Sequence, residues 1–440
     1  MENSNGSKIY EISKKIINIP RSICGPGIRT TLKILKNYNK ELVINSVRSG
    51  TKVFDWKIPN EWHAKTAYLS YNDSGKKILN ISQNFLHLLN YSSKFISKID
   101  FKDLKKNLFF LENQPDAIPY VTSYYKSNWG FCLSHNQFKK IDKKKNFYVH
   151  IETSKKKGFL NYGEIEKKGV KKNIILFSSY ICHPNLANNE ISGPSLNIYL
   201  SNFIQKLKTR YTYKFIFVPE TIGSIVFIKK NLKLLKKEMI AGVNLTCIGD
   251  ERNYSFIPTK YNNSLPDKLI RHLLKYKIKK YIEYNWNNRG SDERQYNSPN
   301  IDLPMTTLMR TKFGAFPEYH TSLDKLGKVV TKKGLGQSYE MLIDLFILFE
   351  NNFYPRTKIL CEPHLTKYNL IHTTGTKKNA TSNSMVLDIL TYCDGKNSIV
   401  DIAEKLNVYA IKILPLIKEL SDKKIIILDF NISHLDLIKN

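Results

Sequence analysis

Ile174-Ile175-Leu176-Phe177-Ser178, followed closely by Cys182-His183-Pro184, is the stretch on which the fold turns. It is apolar, rich in β-branched and aromatic residues, of strand length, and it places an imidazole just beyond its carboxyl end. The arrangement recurs. Phe215-Ile216-Phe217-Val218 leads to Pro219-Glu220-Thr221, and the run from Ala241 to Ile248 leads to Gly249-Asp250-Glu251-Arg252. Between the first two runs, Leu196, Tyr199, Leu200 and Phe203 share one face of a helix read over residues 193–207. Apolar strands alternating with helices imply a mostly parallel, doubly wound sheet. In such sheets, ligands and catalytic groups gather beyond the carboxyl ends of the strands.

Three further segments complete the candidate site. Ala187-Asn188-Asn189-Glu190-Ile191-Ser192-Gly193 supplies Asn189 and Glu190, and Gly290-Ser291-Asp292-Glu293 supplies two carboxylates. Glu318-Tyr319-His320-Thr321 supplies a second imidazole. A hydrolytic metal needs nitrogen and oxygen ligands with a position left open for water. His183, Asp250 and His320 are suitable residue types, and Glu220 is placed to act as general base. Taken singly, each has a plainer reading as a loop residue, a solvated strand end or a local pair. Their order at successive strand ends argues for a shared site.

Residues 1–45 read as helical, broken at Gly25-Pro26-Gly27. From about residue 49 to residue 134 the texture changes to short aromatic runs, including Val53-Phe54-Asp55-Trp56, Ala67 to Tyr71 and Tyr120 to Tyr125, all strand-like by residue type. Near the end, three short helices, over 385–392, 398–406 and 410–420, precede a strand at Ile425 to Leu428, as in a winged helix. The domain reading is therefore an α/β domain over 1–48 and 135–355, an inserted β-rich domain over 49–134, and a winged helix over 376–440.

The ordered series resembles the zinc-dependent aminopeptidases with a doubly wound sheet. More closely, Phe54-Asp55-Trp56, residues 115–120, Trp129-Gly130-Phe131-Cys132 and the tail around Asp394-Gly395 and Ile402 to Leu406 resemble a bacterial aminopeptidase-like subfamily. That subfamily carries an inserted β domain and a winged-helix tail and is often linked with surface-polysaccharide biosynthesis. The resemblance implies His183, Asp250 and His320 as zinc ligands and Glu220 as catalytic base. It also implies supporting roles for Asp292, Glu293 and Tyr319. Two positions depart from the family pattern. Asn189 stands where a metal-bridging Asp is expected, with Glu190 beside it as a substitute ligand, and Thr221 stands where a second Glu is expected. Losing two carboxylates favours one zinc ion over two. The implied function is metal-dependent cleavage of an amide in a peptide-like or other small substrate. The alternative is a weakly active or inactive aminopeptidase-like binding or assembly protein associated with polysaccharide biosynthesis.

The remaining sequence narrows the choice. There is no HExxH, GxSxG or GxxxxGK[ST] motif, which removes zincins, α/β-hydrolases and P-loop enzymes. No apolar run approaches the roughly 18 residues of a membrane span. The six cysteines form no CxxC pair and read as reduced thiols of a cytoplasmic protein. A net charge of +31 suggests an anionic partner, but ten of the 69 basic residues are arginine and the rest are lysine. Base-edge and phosphate readout favours arginine, so nucleic acid is not the expected partner. Homo-oligomerisation stays open.

Overall fold

The computed structural model describes residues 4–278, 280–370 and 377–438. The chain divides into two units, one of Met1–Pro266 with Ile282–Tyr339, the other of Asp267–Tyr281 with Glu340–Asn440.

The first unit is built on an eight-stranded sheet. Its order is Val43–Arg48, Phe159–Lys167, Thr212–Val218, Ile174–Tyr180, Met239–Leu245, Met305–Met309, Ser255–Ile257, Ile282–Glu283. From Thr212–Val218 to Met305–Met309 the neighbours run parallel. Phe159–Lys167 and Ser255–Ile257 pair antiparallel with this block. Every residue of Ile174–Tyr180 and Thr212–Val218 is buried. That explains their largely apolar sequence, since helices cover both faces of such strands. The one cation among them, Lys214, is paired with Glu164 and Glu166 at 2.7 and 2.6 Å. Phe177 lies between Phe215 and Val243 in the register, and its ring stacks on Phe215 at 5.5 Å.

The chain passes first to one side of Ile174–Tyr180 and then to the other, so a switch in strand order falls beside this strand. That is where an α/β sheet opens a crevice. The helix Ser192–Ile204 seats against the sheet at Gly193. A Cβ there would stand 2.3 Å from the Leu245 carbonyl oxygen, so no larger residue fits without displacing the strand end. Behind it, the helix Ser4–Ile16 packs through a 2.9 Å hydrogen bond from Ser13 Oγ to Ser195 Oγ.

A second, antiparallel sheet has the order Lys77–Asn80, Glu61–Tyr71, Phe147–Lys156, Phe95–Ile99. Burial alternates along Phe147–Lys156, as expected when one face packs and the other is solvated. The segment read as an inserted β domain, 49–134, supplies every strand of this sheet except Phe147–Lys156.

Two local expectations fail. The helical reading to residue 45 overran: the helix ends at Lys36, and Val43–Arg48 is an edge strand on Phe159–Lys167. Tertiary pairing decided this, since the sheet edge offered partners to a β-branched run. Tyr120 to Tyr125, read as a strand, makes only isolated bridges. Tyr120 N–H donates to His320 O at 2.7 Å beside the bridge of Pro119 with Thr321, while Thr122 bridges Asn90, so the run is split between two partners.

In the second unit, helices Lys377–Thr391, Ile399–Lys405 and Ala410–Asp422 are followed by Ile426–Ile427, which pairs antiparallel with Arg356–Thr357. Ser398 and Asp401 form a capping box at the middle helix. Residue 376, the start read for the tail, lies outside the described residues. Among those described, no helix is long and apolar enough to cross a membrane.

Candidate active site

The loop after Ile174–Tyr180 carries His183 and folds back over the turn Ala187–Ile191. Glu190, on that turn, is fully enclosed. One of its oxygens, Oε2, accepts from Cys182 N at 2.6 Å, His183 N at 2.7 Å and His183 Nδ1 at 2.8 Å. The buried Arg21 guanidinium balances this charge, 3.4 Å from Glu190 Oε1, and donates twice to His183 O. A carboxylate bound to Nδ1 fixes the imidazole tautomer and aims Nε2 outward. That nitrogen lies 3.7 Å from Glu220 Oε2.

Glu220 follows Thr212–Val218, with its side chain partly open to a pocket. His320 joins from the opposite side, its ring 5.2 Å from that of His183. Tyr319 stacks on His320 at 4.0 Å, and Tyr120 lies 4.9 Å from His183 and 5.3 Å from His320. The backbone is strained at two of these positions: Thr221 has φ 64° and His320 has φ 54°. Left-handed φ in a β-branched residue is rare and concentrates at functional sites.

The protonation pattern follows from burial and neighbouring charge. Burial works to lower the pKa of His183, but the Glu190 hydrogen bond and the Glu190 and Glu220 charges raise it overall. Burial, with His183 beside it, pushes His320 down to about 3. Burial raises Glu220 above the usual carboxylate range. Asp292 rises to about 8 through burial and the charge of Glu220.

The structure therefore gathers His183, Glu220 and His320, with Thr221, Asp292 and Tyr319 around them. Asp292 Oδ1 accepts from Thr221 N at 2.6 Å and so supports the turn that presents Glu220. Glu293 sits deeper, accepting from Gly290 N, Ser291 N and Thr307 Oγ1. Glu190 stands behind His183 rather than facing the pocket. Asp250 does not join the group. Its oxygens accept from Asn188 Nδ2 at 2.9 Å, Thr311 N at 3.0 Å, Thr311 Oγ1 at 2.7 Å and Arg252 N at 2.9 Å. The strand end that faces the site after Met239–Leu245 presents Thr246 instead. Tyr180 Oη hydrogen-bonds both Asn189 Oδ1 and Thr246 Oγ1. Asn189 thus lies in a neutral hydrogen-bonded network. Asp324 holds its turn by accepting from Asn188 N at 2.7 Å and Asn189 N at 2.9 Å.

The donor set suits a zinc ion. His320 Nε2 is buried with no hydrogen-bond partner, an arrangement that costs free energy unless something binds it. His183 Nε2 lines the same pocket, so two imidazole nitrogens are available as zinc ligands, with the Glu220 carboxylate 3.7 Å from His183 Nε2 and placed beside the ion as a base. A cluster of Cys182, His183 and Glu190 has ligand atoms within 4.8 Å of one another. Its carboxylate is already committed to backbone and ring N–H groups, which favours the outward-facing set. Arg21, Tyr180 and Thr246 carry no local sequence signal, because each acts through a contact made only in the folded chain.

A family profile described as a domain of unknown function, DUF4910, matches residues 10–352, and a winged helix-turn-helix profile matches residues 352–427. A Clostridium acetobutylicum protein, named as a candidate polysaccharide-biosynthesis protein with an aminopeptidase-like domain, is 38% identical over 402 residues, 91% of each chain. A crystal structure from the same organism, described as a candidate peptidase, is 35% identical with a TM-score of 0.90 over 97% of each chain. The zinc aminopeptidase BSAP of Bacillus subtilis shares the fold at 12% identity, with a TM-score of 0.54 over 78% of this chain and 94% of its own. With this fold, these relatives and a winged-helix tail, the chain belongs to the DUF4910 family of aminopeptidase-like proteins.

Proposed function

We propose that the protein is a cytoplasmic, zinc-dependent amide hydrolase of the aminopeptidase type, holding one ion through His183 and His320. The observation that carries this reading is the buried, unpartnered Nε2 of His320 facing the same pocket as His183 Nε2 and Glu220. A bound zinc ion would acidify water and polarise a substrate carbonyl. The chain's own groups do the rest. Glu190 keeps His183 in one tautomer, and Arg21 lies 3.4 Å from Glu190 Oε1 behind it. Glu220, raised in pKa by burial, takes a proton from water as it attacks the carbonyl carbon and delivers it to the departing amine. Tyr120 and Tyr124, whose hydroxyls are bonded to each other at 2.6 Å, line the same pocket.

The neutral network of Tyr180, Asn189 and Thr246 supports one ion rather than two, since it replaces charged oxygens with amide and hydroxyl groups. The same network favours the second reading, an aminopeptidase-like binding protein linked to polysaccharide assembly.

Zinc analysis of purified protein and an amino-acyl amide panel separate the two. The hydrolase reading expects close to one equivalent of zinc. It also expects Glu220→Gln to lower kcat by about 100- to 10,000-fold while zinc content holds. Zinc bound without cleavage, in wild type and variant alike, would leave the binding reading standing.

A further inference from the structure

One wall of the pocket has no part in the proposed chemistry. The cavity, of about 360 Å³, has His183, Glu220 and His320 among its lining residues, together with Trp56, Tyr125, Thr122 and Arg294. Trp56 and Tyr125 are 39% and 58% exposed, with rings edge to face at 5.9 Å. Large aromatic surface left open beside a polar cleft is characteristic of a contact surface. The pair is also held in place. The hairpin of Lys52–Val53 and Trp56–Lys57 is tied to the helix Ile222–Glu238 by Lys229 Nζ donating to Lys52 O at 2.8 Å. Lys229 further lies over the Phe54 ring at 5.9 Å.

Arg294 donates through Nη2 to Thr221 Oγ1 at 2.8 Å. Among the described residues, no carboxylate oxygen lies within 4.0 Å of its guanidinium nitrogens. An arginine fork fixed at one nitrogen and free at the others is suited to bidentate capture of an anion. An apolar amino-acid side chain would gain little here, because the wall mixes aromatic rings with the hydroxyls of Tyr120, Tyr124 and Thr122.

We propose that the site takes an N-acylated sugar ring bearing an acidic group. The apolar C–H face of the ring stacks on Trp56 and Tyr125, a carboxylate or phosphate binds Arg294, and the amide reaches Glu220. This rests on the amide-hydrolase reading for the chemistry, but the binding test does not depend on turnover.

Zinc-free full-length protein is titrated by calorimetry with N-acetylglucosamine 6-phosphate, an N-acetylhexosaminuronic acid, neutral N-acetylglucosamine, glycerol phosphate and N-acetylphenylalaninamide. Saturable binding is expected for at least one acidic sugar, and the phosphate and uronate arms tell which acid Arg294 prefers. Trp56→Ala and Arg294→Met should each weaken it by about tenfold, the scale of one lost stacking or charged contact. Trp56→Phe, which keeps a ring, should retain most of the affinity. The proposal is overturned if neither acidic sugar binds, if glycerol phosphate binds as tightly, or if folded Trp56→Ala binds like wild type. Sugar binding here, with no amide cleavage of the same sugars by the zinc-loaded protein, would instead sink the hydrolase reading and leave this subsite in place.

Discussion

Replacing Glu190 with Gln tests the buried support of His183 directly. In the native protein three N–H groups converge on Glu190 Oε2 at 2.6–2.8 Å, and Arg21 Nε lies 3.4 Å from Oε1. Both side chains of the ion pair are fully buried. Gln keeps the size and one acceptor but removes the charge, leaving the Arg21 guanidinium uncompensated in the interior. Breaking a buried pair from one side costs about 3–5 kcal/mol. For a unit of this size each kcal/mol moves Tm by about 2–4 °C, so a fall of roughly 6–20 °C is expected. Loss of the carboxylate behind His183 should also weaken zinc binding by about 10- to 100-fold. Urea unfolding and zinc titration measure the two effects. The cycle with Arg21→Met is the stricter check: the double variant should be less damaged than the sum of the singles, because each single strands its partner. Additive losses, or a Glu190→Gln protein within about 0.5 kcal/mol of wild type, would refute the reasoning.

Three further outcomes follow from the same geometry. Tyr180→Phe removes the hydroxyl joining Asn189 to Thr246 and should cost about 1–3 kcal/mol in denaturant unfolding while zinc stoichiometry stays the same. Asn189→Asp with Thr221→Glu puts carboxylates where the neutral residues stand, and elemental analysis should then find more zinc per chain than in wild type; an unchanged ratio would show that these positions do not limit metal number. His320 is held to about 3 in the folded protein, so below the ordinary histidine pKa of about 6.5 the unfolded chain takes up a proton that the folded chain refuses. Zinc-free stability should therefore lose a contribution as pH falls from about 6.5 toward 3, and His320→Gln should flatten that part of the profile relative to wild type.

The central strands were legible because burial on both faces favours apolar sequence, and residues 174–177 and 215–218 form its uninterrupted runs. His183 and Glu220 were legible for a related reason, as polar residues set just where such runs stop. The strand at Val43–Arg48 was not, because an edge strand is defined by its partner, and local propensity near residue 36 continued to favour helix. Glu190 was read as a metal-facing carboxylate, yet nothing local reveals that the turn Ala187–Ile191 rotates it behind His183.

By itself, the sequence determined which strands form the core and which ionisable residues stand at their ends, since both follow from hydrophobic patterning along a few adjacent positions. Only the tertiary structure decided which of those residues meet. Asp250 spends its oxygens on Asn188, Thr311 and Arg252, Thr246 takes the place beside Asn189, and Arg21 crosses the fold to neutralise Glu190. Hydrogen bonds and buried charges are satisfied by whichever groups the packing brings within reach, and that distance is not written in the order of the residues.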